Sequence, residues 1–163
     1  MIKTAVIMAA GMGTRFGNRT ELIPKGFVPA GGIPMVVRSI ETLKACGIER
    51  IIIGTGYHKE FYEELASKIE GIGSDDFLLL ESDLVFEKKA ITSLMECKAP
   101  NVMLITPVTK FQDQYYVESD ENDILTRCSV NKEELNAKGE LVGIHKLSHQ
   151  FYRLMCEDYA KVV

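Results

Sequence analysis

From Thr4 to Thr106 short, uniformly apolar runs alternate with segments of helical period, and this alternation is the strongest constraint on the fold. Thr4-Ala-Val-Ile-Met-Ala9, Ile51-Ile-Ile53, Phe77-Leu-Leu-Leu80 and Val102–Thr106 are each too short for a helix and carry no polar alternation. Such runs are buried strands of a parallel sheet. Between them, Pro34 opens a helix with Val36, Ile40 and Leu43 on one face, which stops at Gly47. Residues 58–68 place Phe61 and Leu65 on a shared face, and Glu87–Lys98 does the same with Ile91, Leu94 and Met95 before Pro100. The order β-α-β-α-β-α-β predicts an α/β fold, a Rossmann-like three-layer α/β/α arrangement with a mostly parallel mixed sheet. Gln114–Glu118, Ile124–Cys128 and Glu140–His145 follow as strands without intervening helices and predict an antiparallel edge extension. Ser148 caps a last helix whose expected buried stripe is Phe151, Leu154, Met155 and Tyr159.

At 163 residues the length favours a single domain. An apolar fraction of 46% and a charged fraction of 26% are those of an ordinary globular protein, and a net charge of -4 gives no electrostatic reason to expect nucleic acid as a partner. Cys46, Cys97, Cys128 and Cys156 are scattered, with no Cys-x-x-Cys pair and no paired histidines. Zinc and a disulfide framework are both disfavoured, leaving reduced, mostly buried thiols in a cytoplasmic protein as the expectation. The apolar start is too short to span a membrane and runs into glycines, so no membrane partner and no secretory leader are expected.

Ala9-Ala-Gly-Met-Gly-Thr-Arg-Phe-Gly17 follows the first strand directly. Glycines after a buried strand expose backbone N–H groups that can ring a phosphate, and Arg15 adds a planar cationic fork. The loop is not a P-loop, because Gly-x-x-x-x-Gly-Lys-Ser/Thr is absent. Nor is it a dinucleotide fingerprint: Gly17 comes one residue late, no amphipathic helix follows, and the second strand ends in Gly54-Thr-Gly-Tyr57 with no acidic residue for a ribose. The loop continues through Pro24-Lys25 to Gly31-Gly-Ile-Pro34. Lys25 beside a proline is a candidate point charge for phosphate, although a solvated surface lysine is the usual fate. The third strand ends in Glu81-Ser82-Asp83, and ligands of open α/β sheets gather at that end of the strands. Asp83 there suits Mg²⁺ or a turn cap equally well. Glu81 can face the same cleft or pair with a neighbouring cation.

Taken together, Ala10-Gly-Met-Gly-Thr-Arg15, Pro24-Lys25, Gly32-Ile-Pro34 and Glu81-Ser-Asp83 resemble the nucleotidyltransferase superfamily with a GT-A-like, Rossmann-type fold. Within it the chain is most similar to the small CTP:phosphocholine and CTP:2-aminoethylphosphonate cytidylyltransferases, with Tyr115-Tyr-Val117 and Gly139–Ser148 included in the likeness. That resemblance implies CTP and a small phosphonate or phosphate ester as partners, and Mg²⁺ as cofactor. It puts catalysis on Lys25, Arg15 and Asp83, nucleotide contacts on Ala9, Ala10, Gly11, Met12, Gly13, Thr14, Arg15, Lys25 and Ser82, and the metal on Asp83. Lys25 would lie on the α-phosphate, with Arg15 and the Gly11–Thr14 backbone on the β- and γ-phosphates. Two departures stand out. The family has a further strand, loop and helix where this chain has only 69–76, and it continues beyond Val163 into a part that carries a second metal-binding aspartate. The expectation is therefore one nucleotidyltransferase domain, 1–163, lacking that internal segment and the C-terminal part, with a homodimer allowed. A phosphocholine or sugar-1-phosphate enzyme, and an inactive nucleotide-binding module, are the alternatives.

Overall fold

A computed structural model describes residues 2–13, 22–63, 65, 73–109 and 114–161. The chain divides into two compact units, one of residues 1–102 with 145–163 and one of residues 103–144.

In the first unit, β1 (Thr4–Ala9) is the central strand. It pairs in parallel with β4 (Arg50–Thr55) on one side and β5 (Phe77–Glu81) on the other. The last residues of β9 (Gly139–Leu147) belong to this unit, and β9 adjoins β5. Because side chains alternate across a sheet, each strand of an apolar run feeds both faces. Ala5, Ile7, Leu78 and Leu80 are at most 1% exposed and point to one face. The buried stripes of α1 (Met35–Ala45) and α2 (Lys88–Glu96), which lie against one another, account for their cover: Val36, Ile40 and Leu43 from α1, Ile91 and Leu94 from α2. On the opposite face Val6, Phe77 and Leu147 form a cluster with Ile52, Leu79 and Tyr152 of α3 (His149–Tyr159). The rings of Phe77 and Tyr152 meet edge to face at 5.6 Å. The sheet is mixed and mostly parallel, flanked by helices on both faces, as the alternation predicts. The described part of the long loop contains a 3₁₀ turn at Lys25–Phe27 and a two-strand ribbon, β2 (Pro29–Ala30) with β3 (Ile33–Pro34).

In the second unit, β7 (Tyr116–Ser119) runs antiparallel to β8 (Leu125–Ser129) and to the start of β9, and β6 (Val102–Thr106) also pairs with β9. These are the helix-free strands expected after Thr106. Gly139 is obligatory here, since an added Cβ would sit 2.5 Å from the Thr106 carbonyl oxygen.

Three expectations are corrected. Among the described residues of the helix expected over 58–68, only Lys59–Tyr62 is regular, and it is a 3₁₀ turn; residue 64 and residues 66–72 lie outside the described residues. The four cysteines are free as expected, but Cys97, Cys128 and Cys156 are exposed and Cys46 is half-buried. The expected stripe of α3 faces solvent: Phe151, Leu154, Met155 and Tyr159 are between 39% and 69% exposed. Tyr152 is the residue that seats this helix, with Ser148 capping it by accepting from the Phe151 N–H at 3.2 Å. A helical period shows which residues share a face but not which face turns inward, and one aromatic contact decided it.

The contrast between the two stripes is measurable by chemical denaturation. Leu80→Ala is expected to cost about 2–5 kcal/mol, while Leu154→Ala should change stability by less than about 0.5 kcal/mol. A second expectation concerns pH. Burial pushes the His145 imidazole below its ordinary pKa, and its Nδ1 has no hydrogen-bond partner among the described residues. The unfolded chain therefore binds the proton more readily than the fold does. Stability should rise with pH up to the ordinary histidine range and fall as pH drops through it. Urea melts at pH 5, 6 and 7 should show that slope reduced in His145→Gln.

Candidate active site

The parallel registers align the carboxyl ends of three strands in the first unit. Ala9 of β1 sits beside Thr55 of β4, and Met8 beside Glu81 of β5. The three segments that follow are therefore neighbours: Ala10–Gly13, Gly56–Tyr57 and Ser82–Asp83. Glycine makes the first contact possible. A Cβ on Gly56 would lie 2.9 Å from the Ala10 carbonyl oxygen, so the two backbones touch with no room for a side chain. Gly13 has φ of 66°, in the left-handed region that lets the loop turn away from the sheet.

Lys25 comes from the 3₁₀ turn that Pro24 starts, with the Phe27 N–H donating to the Pro24 carbonyl at 2.8 Å. Its stem runs past Gly11, whose added Cβ would be 3.8 Å from Lys25 Cε. Its Nζ lies 3.0 Å from Asp83 Oδ1, with the two side chains 22% and 18% exposed. Lys25 and Asp83 are thus side by side, with Gly11 of the glycine loop next to the lysine stem. Thr14 and Arg15 lie outside the described residues. Ala9 is buried, whereas Ala10, Gly11 and Met12 are exposed at the rim. Glu81 is exposed at the strand end.

Ser82 differs from the expectation. Its side chain is wholly buried, and its hydroxyl faces Tyr62 instead of the rim. Tyr62, 1% exposed, is a residue that the sequence reading passed over. Its ring meets Phe27 edge to face at 5.1 Å, and its hydroxyl lies against Ser82 and the backbone of Gly26. Burial holds the Tyr62 phenol above its ordinary pKa and the Asp83 carboxylate pushes the same way, against the opposing contacts of Ser82 and Gly26. Among the described residues Tyr62 Oη, Ser82 Oγ and Asp83 Oδ1 are all buried without a well-directed hydrogen bond; the Lys25–Asp83 contact is an ion pair by distance. Buried polar atoms left so are uncommon. From the far side, Ser39 of α1 donates to the Leu84 carbonyl at 3.3 Å and ties the turn after Asp83 to the helix layer.

The described part of the glycine loop, Lys25 and Asp83 thus lie at the carboxyl edge of a Rossmann-like sheet. Residues 5–73 match the MobA-like NTP transferase domain. The chain is 36% identical over 90 residues to 2-aminoethylphosphonate cytidylyltransferase of Lancefieldella rimae, covering 55% of this chain and 35% of that protein. It is 42% identical over 84 residues to UTP–glucose-1-phosphate uridylyltransferase of Staphylococcus haemolyticus, covering 47% and 29%. It is 45% identical over 64 residues to choline-phosphate cytidylyltransferase of Streptococcus pneumoniae, covering 39% and 28%. The chain thus matches only about a third of the length of these curated relatives. Among solved structures, UDP-glucose pyrophosphorylase complexed with UDP-glucose superposes with a TM-score of 0.79 at 18% identity, over 96% of this chain and 80% of that one. The inositol-1-phosphate CTP transferase from T. maritima superposes with 0.67 at 16% identity, over 94% and 73%. These two likenesses establish the fold.

The Gly56–Ala10 contact yields a test. Gly56→Ala forces the glycine loop off the end of β4, so it should destabilise by about 1–3 kcal/mol and weaken any binding of a ligand at this edge. Denaturation and nucleotide titration of the same variant would check both.

Proposed function

We propose that this chain acts as a cytidylyltransferase, transferring CMP from CTP to 2-aminoethylphosphonate with release of pyrophosphate. The observation that carries the reading is the meeting of Lys25 Nζ and Asp83 Oδ1 beside Gly11 at the carboxyl edge of the sheet. The choice of base and acceptor draws on the likeness to the Lancefieldella rimae protein.

In the proposed reaction an oxygen of the phosphonate attacks the α-phosphorus of CTP in line. A new P–O bond forms as the bond to the β-phosphate oxygen breaks, and pyrophosphate leaves with that electron pair. The attacking oxygen is already anionic near neutral pH, so no strong general base is needed, and rate comes from alignment and charge stabilisation. Lys25 leaves Asp83 to neutralise the α-phosphate and draw the two anions together. The exposed backbone from Ala10 to Gly13 receives the phosphate chain, with Arg15 adding its guanidinium to the β- and γ-phosphates. Ala9 and Ala10 leave room for the nucleoside.

Among the described residues no group of three His, Cys, Asp or Glu side chains could hold a metal ion alone. Asp83 by itself fits Mg²⁺, which takes one or two protein carboxylates and completes its shell with phosphate oxygens and water. When bound, Mg²⁺ supplies charge neutralisation on those oxygens. The Asp83 carboxylate would then exchange Lys25 for the metal.

The test is a pyrophosphate-release assay crossing CTP, UTP, GTP and ATP with 2-aminoethylphosphonate, phosphocholine and sugar 1-phosphates. CTP with 2-aminoethylphosphonate should give the highest kcat/KM. A preference for phosphocholine or for UTP with glucose 1-phosphate would move the assignment to another member of the family, and nucleotide binding without release would identify a binding module. Lys25→Ala should lower turnover by about 10²-fold or more while melting close to the parent. Asp83→Asn should abolish the Mg²⁺ dependence of nucleotide binding, read by calorimetric titration with and without the metal.

A further inference from the structure

We propose that Tyr62 is a positioning residue: packed between the Lys25 turn and the Asp83 turn, it sets the spacing of those two groups. The inference rests on the reading of Lys25 and Asp83 given above. Each of the two groups is one residue away from a backbone contact beneath it. Gly26 follows Lys25, Ser82 precedes Asp83, and the two backbones are pressed together. A Cβ on Gly26 would meet Tyr62 Oη at 3.0 Å, the Ser82 carbonyl oxygen at 3.1 Å and Ser82 Cβ at 3.2 Å. The turns that carry Lys25 and Asp83 therefore cannot close further without moving Gly26 against Ser82, and Tyr62 Oη lies at that contact. The ring is fixed in turn by Phe27 at 5.1 Å, and Phe61 lies 5.4 Å from Phe27, so the hydroxyl is held from below by an aromatic cluster.

A buried phenol serving only as filler would satisfy its hydroxyl or be replaced by phenylalanine at no cost. Tyr62 instead holds its hydroxyl among polar atoms whose hydrogen bonds are poorly directed, next to an ion pair that the reaction must open. The hydroxyl offers Ser82 and the Asp83 turn a neutral polar surface when Lys25 moves onto substrate. It touches neither phosphate nor acceptor, and its effect passes through the placement of Lys25 and Asp83.

The test uses the full chain with Tyr62→Phe, Gly26→Ala and the double variant, read in two ways. The first is the kcat and KM split for CTP. Gly26→Ala and Tyr62→Phe should each lower kcat, by about tenfold or more and about threefold or more respectively, with little change in KM. The double variant, in which the closest of the three contacts is removed, should recover part of the loss in Gly26→Ala. The second is the ¹³C resonance of reductively dimethylated Lys25, assigned by its loss in Lys25→Arg. It should move in both single variants toward its position in Asp83→Asn. If that resonance stays in place in both, with the variants folded by circular dichroism, the proposal is overturned whatever the turnover. If it moves while the parent protein releases no pyrophosphate with any substrate pair, the positioning role stands and the proposed activity fails. A Tyr62→Phe protein with lower melting temperature but unchanged kcat and unchanged resonance is filler, and likewise overturns the proposal.

Discussion

The contact on which the site depends is backbone against backbone. Parallel pairing of β1 with β4 and β5 delivers three chain segments to the same edge, but pairing alone leaves them a strand spacing apart. Two of them close on one another because Gly56 stands against Ala10, and the Lys25 turn closes on the third because Gly26 stands against Ser82. With a methyl group at either place the neighbouring atoms must shift, and in both cases a backbone oxygen lies within about the same short distance. The ion pair of Lys25 and Asp83 is a result of this approach, since neither side chain has to reach far from a turn already pressed against the other.

Energetically the two layers beneath the edge play different parts. The face with Ile7, Leu78 and Leu80 is fully covered, each of these side chains being at most 1% exposed. The opposite face has a smaller cluster in which Tyr152 is the contribution of α3. Ser39, buried in α1, joins the covered layer to the site by its bond to Leu84, so the turn that carries Asp83 is held from the side that is densest. A stable support under a strained or poorly satisfied set of polar atoms is the usual arrangement at sites where charge is rearranged.

Much of the architecture was legible because burial on both faces leaves a strong mark. Uniform apolar runs such as Ile51–Ile53 and Phe77–Leu80 have few other structures available to them, and the positions of Val36, Ile40, Leu43, Ile91 and Leu94 follow from the helical period. The place of Asp83 at the carboxyl edge was legible from the rule that parallel strands present their ligand groups at one end, while its meeting with Lys25 was implied only by the family resemblance. What could not be read were choices made by tertiary contact. The outward stripe of α3 has the same period as an inward one. Tyr62 sits in a segment whose pattern suggested Phe61 and Leu65 as the inward face, and the 3₁₀ turn at Lys59–Tyr62 rotates it under the site instead. Ser82 lies between two residues that face the rim, and alternation at a strand end turns it inward toward the phenol. Gly26 after Pro24-Lys25 was the available clue to a close approach, because a glycine next to a candidate charge asks what its missing side chain would strike.

The pairing of Lys25 with Asp83 also bears on how a polyanion would first find this edge. A lone ammonium projects a field that attracts phosphate over a Debye length, whereas a cation with a carboxylate 3.0 Å away projects only a dipole, which fades much faster with distance. On a chain of net charge -4 the pair therefore adds little long-range guidance to diffusional encounter. Its share of the capture rate should be nearly insensitive to ionic strength, and whatever attraction it exerts is felt only after the phosphates have come within reach of the loop.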